Sequence, residues 1–80
     1  MNIQKRLVAM GYPDLYRGYT LGDLIQLLPM KFNGQLLEIR TSYTKTWIIS
    51  YGTILATEAE SLEETCCLML EKIHSYENRN

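Results

Sequence analysis

The stretch from Ser61 to Tyr76, SLEETCCLMLEKIHSY, most limits what this chain can become. Ser61 with Glu64 three residues later is a capping-box pair that starts a helix. Glu63 and Glu64 fall in the first turn and Lys72 and His74 near the last, as the helix dipole favours. Leu62, Cys66, Met69, Ile73 and Tyr76 recur at helical spacing, with Cys67 and Leu70 widening the stripe. Such a helix is stable only with that stripe covered, so the rest of the chain must supply a sheet or further helices.

Upstream, the apolar period changes twice. Residues 2–10 place Ile3, Leu7 and Met10 on one face of a short helix, with Gly11 as its C-terminal cap. Gly18 predicts a break after the GYPDLYRGY segment. Thr20 and Asp23 form a second capping box, and Leu21, Leu24, Ile25 and Leu28 repeat at i, i+3, i+4, i+7. Pro29 disfavours helical geometry at Leu28, so this helix ends there.

Beyond it the period becomes two. In 35–43, Leu37, Ile39, Thr41 and Tyr43 share one face, and Glu38, Arg40 and Ser42 the other. In 46–51, Trp47, Ile49 and Tyr51 alternate with Ile48 and Ser50. The polar link at Thr44-Lys45 makes these strands a hairpin. Gly52-Thr53 reads as a two-residue turn into a third strand, 54–59, setting Ile54 opposite Tyr51 and Ala56 opposite Ile49. The alternative is one long strand bulged at Gly52. The expected fold class is α+β: a three-stranded antiparallel β-meander with helices packed on one face, in the order α-α-β-β-β-α. With 80 residues, one domain over 1–80 is expected. Trp47 is expected in the core.

Composition narrows function. No apolar run approaches the roughly 20 residues of a membrane span, and no apolar core follows Lys5-Arg6 as in a signal peptide. A cytoplasmic location without membrane contact is expected. Cys66 and Cys67 are adjacent, an arrangement unsuited to a mutual disulfide and consistent with reduced thiols. His74 is the single histidine, seven positions after Cys67, so a hydrogen-bonded Cys–His pair is not expected on one helix. Neither a tetrahedral metal set nor a Gly-rich phosphate loop is legible. The expectation is a protein that is not an enzyme and needs no cofactor.

The interaction signals are aromatic and basic. Tyr12, Tyr16 and Tyr19 surround Arg17 within eight residues, and tyrosine and arginine are enriched at interface hot spots. With Arg40 on the sheet's second face, these five are the candidate contact residues for a protein partner. Two open sheet edges make a weak homodimer plausible. Charge is divided: residues 1–45 hold six Lys/Arg and three Asp/Glu, residues 46–80 two and six. The competing reading is nucleic-acid binding, since the αβββα order also occurs in double-stranded-RNA-binding domains. Those use lysines at the start of the last helix, where this chain has Glu60, Glu63 and Glu64. Nucleic acid is therefore the less favoured partner. Its discriminator is whether Arg17, Lys31, Arg40 and Lys45 converge.

The run TLGDLIQLLP (20–29), the strand WIISY (47–51) and the final helix SLEETCCLMLEKI (61–73) together resemble a family of small uncharacterised proteins. These are encoded by bacteriophages and mobile elements of gut bacteria. The resemblance spans residues 20–76 and implies an accessory role in such an element. It carries over no catalytic residue, and this chain departs from it at Gly52-Thr53 and at Cys66-Cys67.

Overall fold

The computed structural model describes residues 2–78. Three helices form where the caps and apolar periods require them. α1 spans Ile3–Ala9, with Asn2 Oδ1 accepting from the Lys5 N–H at 3.1 Å. α2 spans Leu21–Leu27 and carries both halves of the Thr20–Asp23 capping box. α3 spans Leu62–Glu77. Ser61 Oγ accepts from the Glu64 N–H at 3.0 Å. The Glu64 carboxylate does not close that box. It bonds the Arg6 guanidinium at 2.9 Å, and Arg6 Nε also donates to Glu71 at 2.8 Å. One arginine thus fastens α1 to α3 at two points about two turns apart.

The sheet has four antiparallel strands rather than three, in the order β1-β2-β3-β4. β2 is Gln35–Thr41, β3 is Trp47–Tyr51 and β4 is Leu55–Ala59. The added strand, β1, is Lys31–Phe32, pairing Lys31 with Leu36 and Phe32 with Gln35. Its turn is Asn33-Gly34, with φ of 50° and 82°, the left-handed pair required by a type I′ hairpin. Asn-Gly is a strong local hairpin signal, but two residues of strand are too short to show a period.

The β3–β4 register also differs from expectation by one residue. Tyr51 pairs with Leu55, Ser50 with Ala56 and Ile49 with Thr57, across a loop of Gly52, Thr53 and Ile54. A slip of one residue inverts every side chain on a strand. The expected register would have set Glu58 beside Trp47 on the covered face. The observed one turns Leu55 and Thr57 inward and Glu58 out. Gly52 has φ +58°, a backbone that favours glycine, and a Cβ there would displace the exposed Gln35 side chain.

All three helices lie on the face that carries Ile49, Tyr51 and Thr57. Leu7, Leu24, Leu28, Phe32, Cys66, Met69, Leu70 and Ile73 fill the space between. Tyr51 sits fully buried at its centre, with its hydroxyl donating to the Pro29 carbonyl at 2.7 Å. Phe32 bridges Tyr51 and Tyr76, with ring centroids 5.8 and 5.1 Å away. Thr57 Oγ1 donates to the Thr65 carbonyl at 3.1 Å, tying β4 to α3. Trp47 is in phase with Ile49 and Tyr51, as expected, but lies near the end of the sheet and is only half-buried. The centre of the core is Tyr51.

Candidate interaction surface

The five residues singled out from sequence do not form one patch. The α1–α2 loop is held by Gln4, whose Nε2 donates to the Leu15 carbonyl at 2.8 Å and to the Asp14 carboxylate. Tyr19 donates its hydroxyl to the Pro13 carbonyl, and Tyr12 and Tyr19 pack half-buried against the core margin. Burial pushes the Tyr12 phenol above its ordinary value. These two tyrosines brace the loop. Tyr16 alone of the three is fully exposed, beside Val8 in an open groove of about 520 Å³. Arg17 is held by Asp23 through bonds of 2.6 and 3.2 Å. That guanidinium and the Thr20 N–H keep the Asp23 carboxyl far below the usual carboxylate range. Arg40 lies on the opposite side of the sheet, bonded to Glu38 at 3.2 Å.

The basic residues are dispersed too. Register puts Lys31 and Arg40 on the outer sheet face with Glu38 and Glu58, while Arg17 belongs to the helix layer. The outer face is electrically mixed, unlike the continuous positive track that a phosphate backbone demands.

The reactive groups are committed elsewhere. Cys66 and Cys67 are fully buried, and burial pushes both thiols up to about 11, away from the thiolate that a nucleophile needs. His74 is exposed on α3. A groove of about 410 Å³ runs between β4 and α3, lined by Ala56, Leu68 and Ser75 with Glu58, Glu71 and Lys72. All three of its charges already have partners: Glu71 holds Arg6, Glu58 accepts from the Thr46 hydroxyl, and Lys72 Nζ donates to the Ala56 carbonyl at 2.8 Å. Among the described residues, no group of three or more His, Cys, Asp or Glu is placed to hold a metal ion, and no helix is long and apolar enough to cross a membrane.

The most unusual surface lies along β2. β1 covers only its first residues, and Glu38, Ile39, Arg40 and Thr41 are all exposed. The direction of their backbone groups follows from one bond. The Ser42 N–H donates to the Thr46 carbonyl at 3.0 Å, so pairs 42–46, 40–48 and 38–50 face each other with bonded groups. Alternation then turns the N–H and C=O of Leu37, Ile39 and Thr41 toward the far edge. Leu37 confirms this: its N–H donates there to Met30 O at 2.9 Å. Past Met30, no backbone or side-chain group among the described residues bonds the outward groups of Ile39 and Thr41. Four exposed apolar side chains flank this edge: Met30 (76%), Leu36 (62%), Ile39 and the fully exposed Tyr43.

The other sheet edge, β4, is treated differently. The same alternation turns Ala56 and Glu58 outward there, and Lys72 occupies the Ala56 carbonyl. Lysine over an edge strand is a common device against unwanted pairing. One edge is blunted and the other is left open. Sequence reasoning found Arg40 and an open edge on its strand, but not β1, which covers the start of that edge. The openness depends on β1 being two residues long, for which Asn33-Gly34 was the available signal. Comparison with protein-family models, with curated proteins and with solved structures gave no match.

Proposed function

We propose that the chain is a small non-enzymatic protein-interaction module whose contact surface is the β2 side of the sheet. The observation that carries this reading is the set of exposed apolar side chains, Met30, Leu36, Ile39 and Tyr43, spread along one strand and its edge, with Arg40 between them. Clustered exposed apolar residues mark interaction sites more often than scattered ones do. Tyrosine and arginine are also residue types enriched among binding hot spots. Tyr16 and Arg17, on the helix side, lie outside this surface. The resemblance of residues 20–76 to phage and mobile-element proteins adds the proposal of an accessory role, as an adaptor or modulator of a larger protein.

The test is retention of a partner from a cell lysate on the immobilised chain, with and without nuclease, read by mass spectrometry. The reading predicts a stoichiometric protein that survives nuclease, is lost with Leu36→Asp/Tyr43→Ser, and is kept with Tyr16→Ala. Retention lost on nuclease treatment, or lost with Tyr16→Ala and kept with the β2 variant, overturns it.

A further inference from the structure

The geometry points to strand addition as the mode of binding: an extended partner segment with an acidic residue flanked by apolar ones pairs along β2 at Ile39–Thr41. The inference rests on the reading that the β2 side is the contact surface, and adds how it binds and what it selects. Three features support it. The N–H and C=O groups of Ile39 and Thr41 point outward in strand geometry, already spaced for an incoming strand. Ile39 offers an exposed aliphatic side chain on one face and Arg40 a cation on the other. The opposite edge, where Lys72 takes the Ala56 carbonyl, is not equally available.

Charge decides between a second copy and a different partner. Met30 already occupies the place opposite Leu37, so an added strand starts opposite Glu38. The antiparallel register that pairs most of β2 clear of Met30 would set Ile39 against Thr41 of the other copy, and Arg40 against Arg40. Like charges directly opposite one another oppose pairing. A foreign strand with a carboxylate at that place gains where a second copy loses. In antiparallel pairing it also presents apolar residues to Thr41 and Ile39, and a cation to Glu38.

Two capped pentapeptide probes test this by amide NMR titration of the whole chain: acetyl-TVEVK-amide and acetyl-TVKVK-amide. Their third residues fall opposite Arg40. Saturable changes centred on Ile39, Arg40 and Thr41 are expected, with the glutamate peptide binding about threefold or more tighter. Arg40→Glu, an exposed substitution that leaves the core intact, is expected to reverse the preference. Equal binding of both peptides, an unreversed preference, changes centred on Ala56 and Glu58, or no change at millimolar peptide overturns the proposal. So does a concentration-dependent dimer that protects the Ile39 amide, which assigns the edge to a second copy. If the peptides fail while Leu36→Asp/Tyr43→Ser still abolishes partner retention, strand addition is wrong and the surface reading stands.

Discussion

Tyr51→Phe removes one oxygen from the centre of the core and is the sharpest test of how the fold is held. The ring stays: it is fully buried, and its contact with Phe32 needs only the aromatic face. What goes is the 2.7 Å bond to the Pro29 carbonyl, which anchors the segment between α2 and β1 to the sheet. Truncating one partner of a buried bond leaves the other unsatisfied, a cost of about 1–3 kcal/mol. A domain this small has a margin of only a few kcal/mol. Each kcal/mol moves the midpoint of a 60–100-residue domain by about 4–8 °C, so a drop of about 4–24 °C is expected. Thermal unfolding followed by Trp47 fluorescence measures it, and urea unfolding with the wild-type slope retained checks the free-energy loss. The variant also changes the alkaline limb. Burial raises the Tyr51 phenol from 10.0 to about 12. The folded state therefore favours the protonated form, and that contribution is complete below pH 10 and lost as pH rises toward 12. Tyr51→Phe should flatten this decline. An unchanged midpoint together with an unchanged alkaline limb would refute the placement of the hydroxyl against Pro29.

Three further outcomes follow from named contacts. Gly52→Ala meets both a left-handed φ of +58° and the Gln35 side chain, so a loss of about 1–2 kcal/mol in thermal unfolding is expected; adding Gln35→Ala should recover only the steric share. Arg6 holds the Glu71 carboxyl below its ordinary range, so its contribution is present above the unfolded value near 4.5 and fades as pH falls through the lower folded value; Glu71→Gln should remove that part of the acid dependence in a pH series of melting curves. Lys72→Ala uncovers the β4 edge at Ala56 for less than about 1 kcal/mol of stability, and sedimentation at rising concentration should show new self-association.

The helices were legible because each has a side-chain cap and a stripe at the period of 3.6: Thr20 with Leu21, Leu24 and Leu28, and Ser61 with Cys66, Met69 and Ile73. β2 and β3 were legible from the alternation of their residue types, although burial follows it only in part: β2 is exposed on both faces apart from Leu37, and Ser50 is buried on the outer face of β3. The exceptions have physical causes. Lys31–Phe32 is too short for any period, so β1 was visible only through Asn33-Gly34. The β3–β4 register turned on whether Ile54 belongs to the loop or to the strand, and the three-residue loop keeps Glu58 out of the covered face. Trp47 had the right phase, but distance from the end of a sheet is not encoded in alternation.

The candidate site was less legible, since each of its properties is tertiary. Tyr12, Tyr16 and Tyr19 look equivalent in sequence. The loop gives the Tyr19 hydroxyl to Pro13, half-buries Tyr12, and leaves Tyr16 free. Arg40 was identified by its position on the second face. That Ile39 and Thr41 present unpaired backbone beside it depends on where β1 stops. That the other edge is blunted depends on Lys72 reaching from α3 to Ala56, 16 residues away in sequence.

Amide hydrogen exchange along β2 tests the open edge most directly. The account predicts alternation: Glu38, Arg40 and Ser42, bonded to β3, exchange slowly, while Ile39 and Thr41 exchange near the rate of unstructured peptide. Slow exchange at Ile39 and Thr41 in the isolated chain would mean that the edge is already covered, and would contradict the central claim.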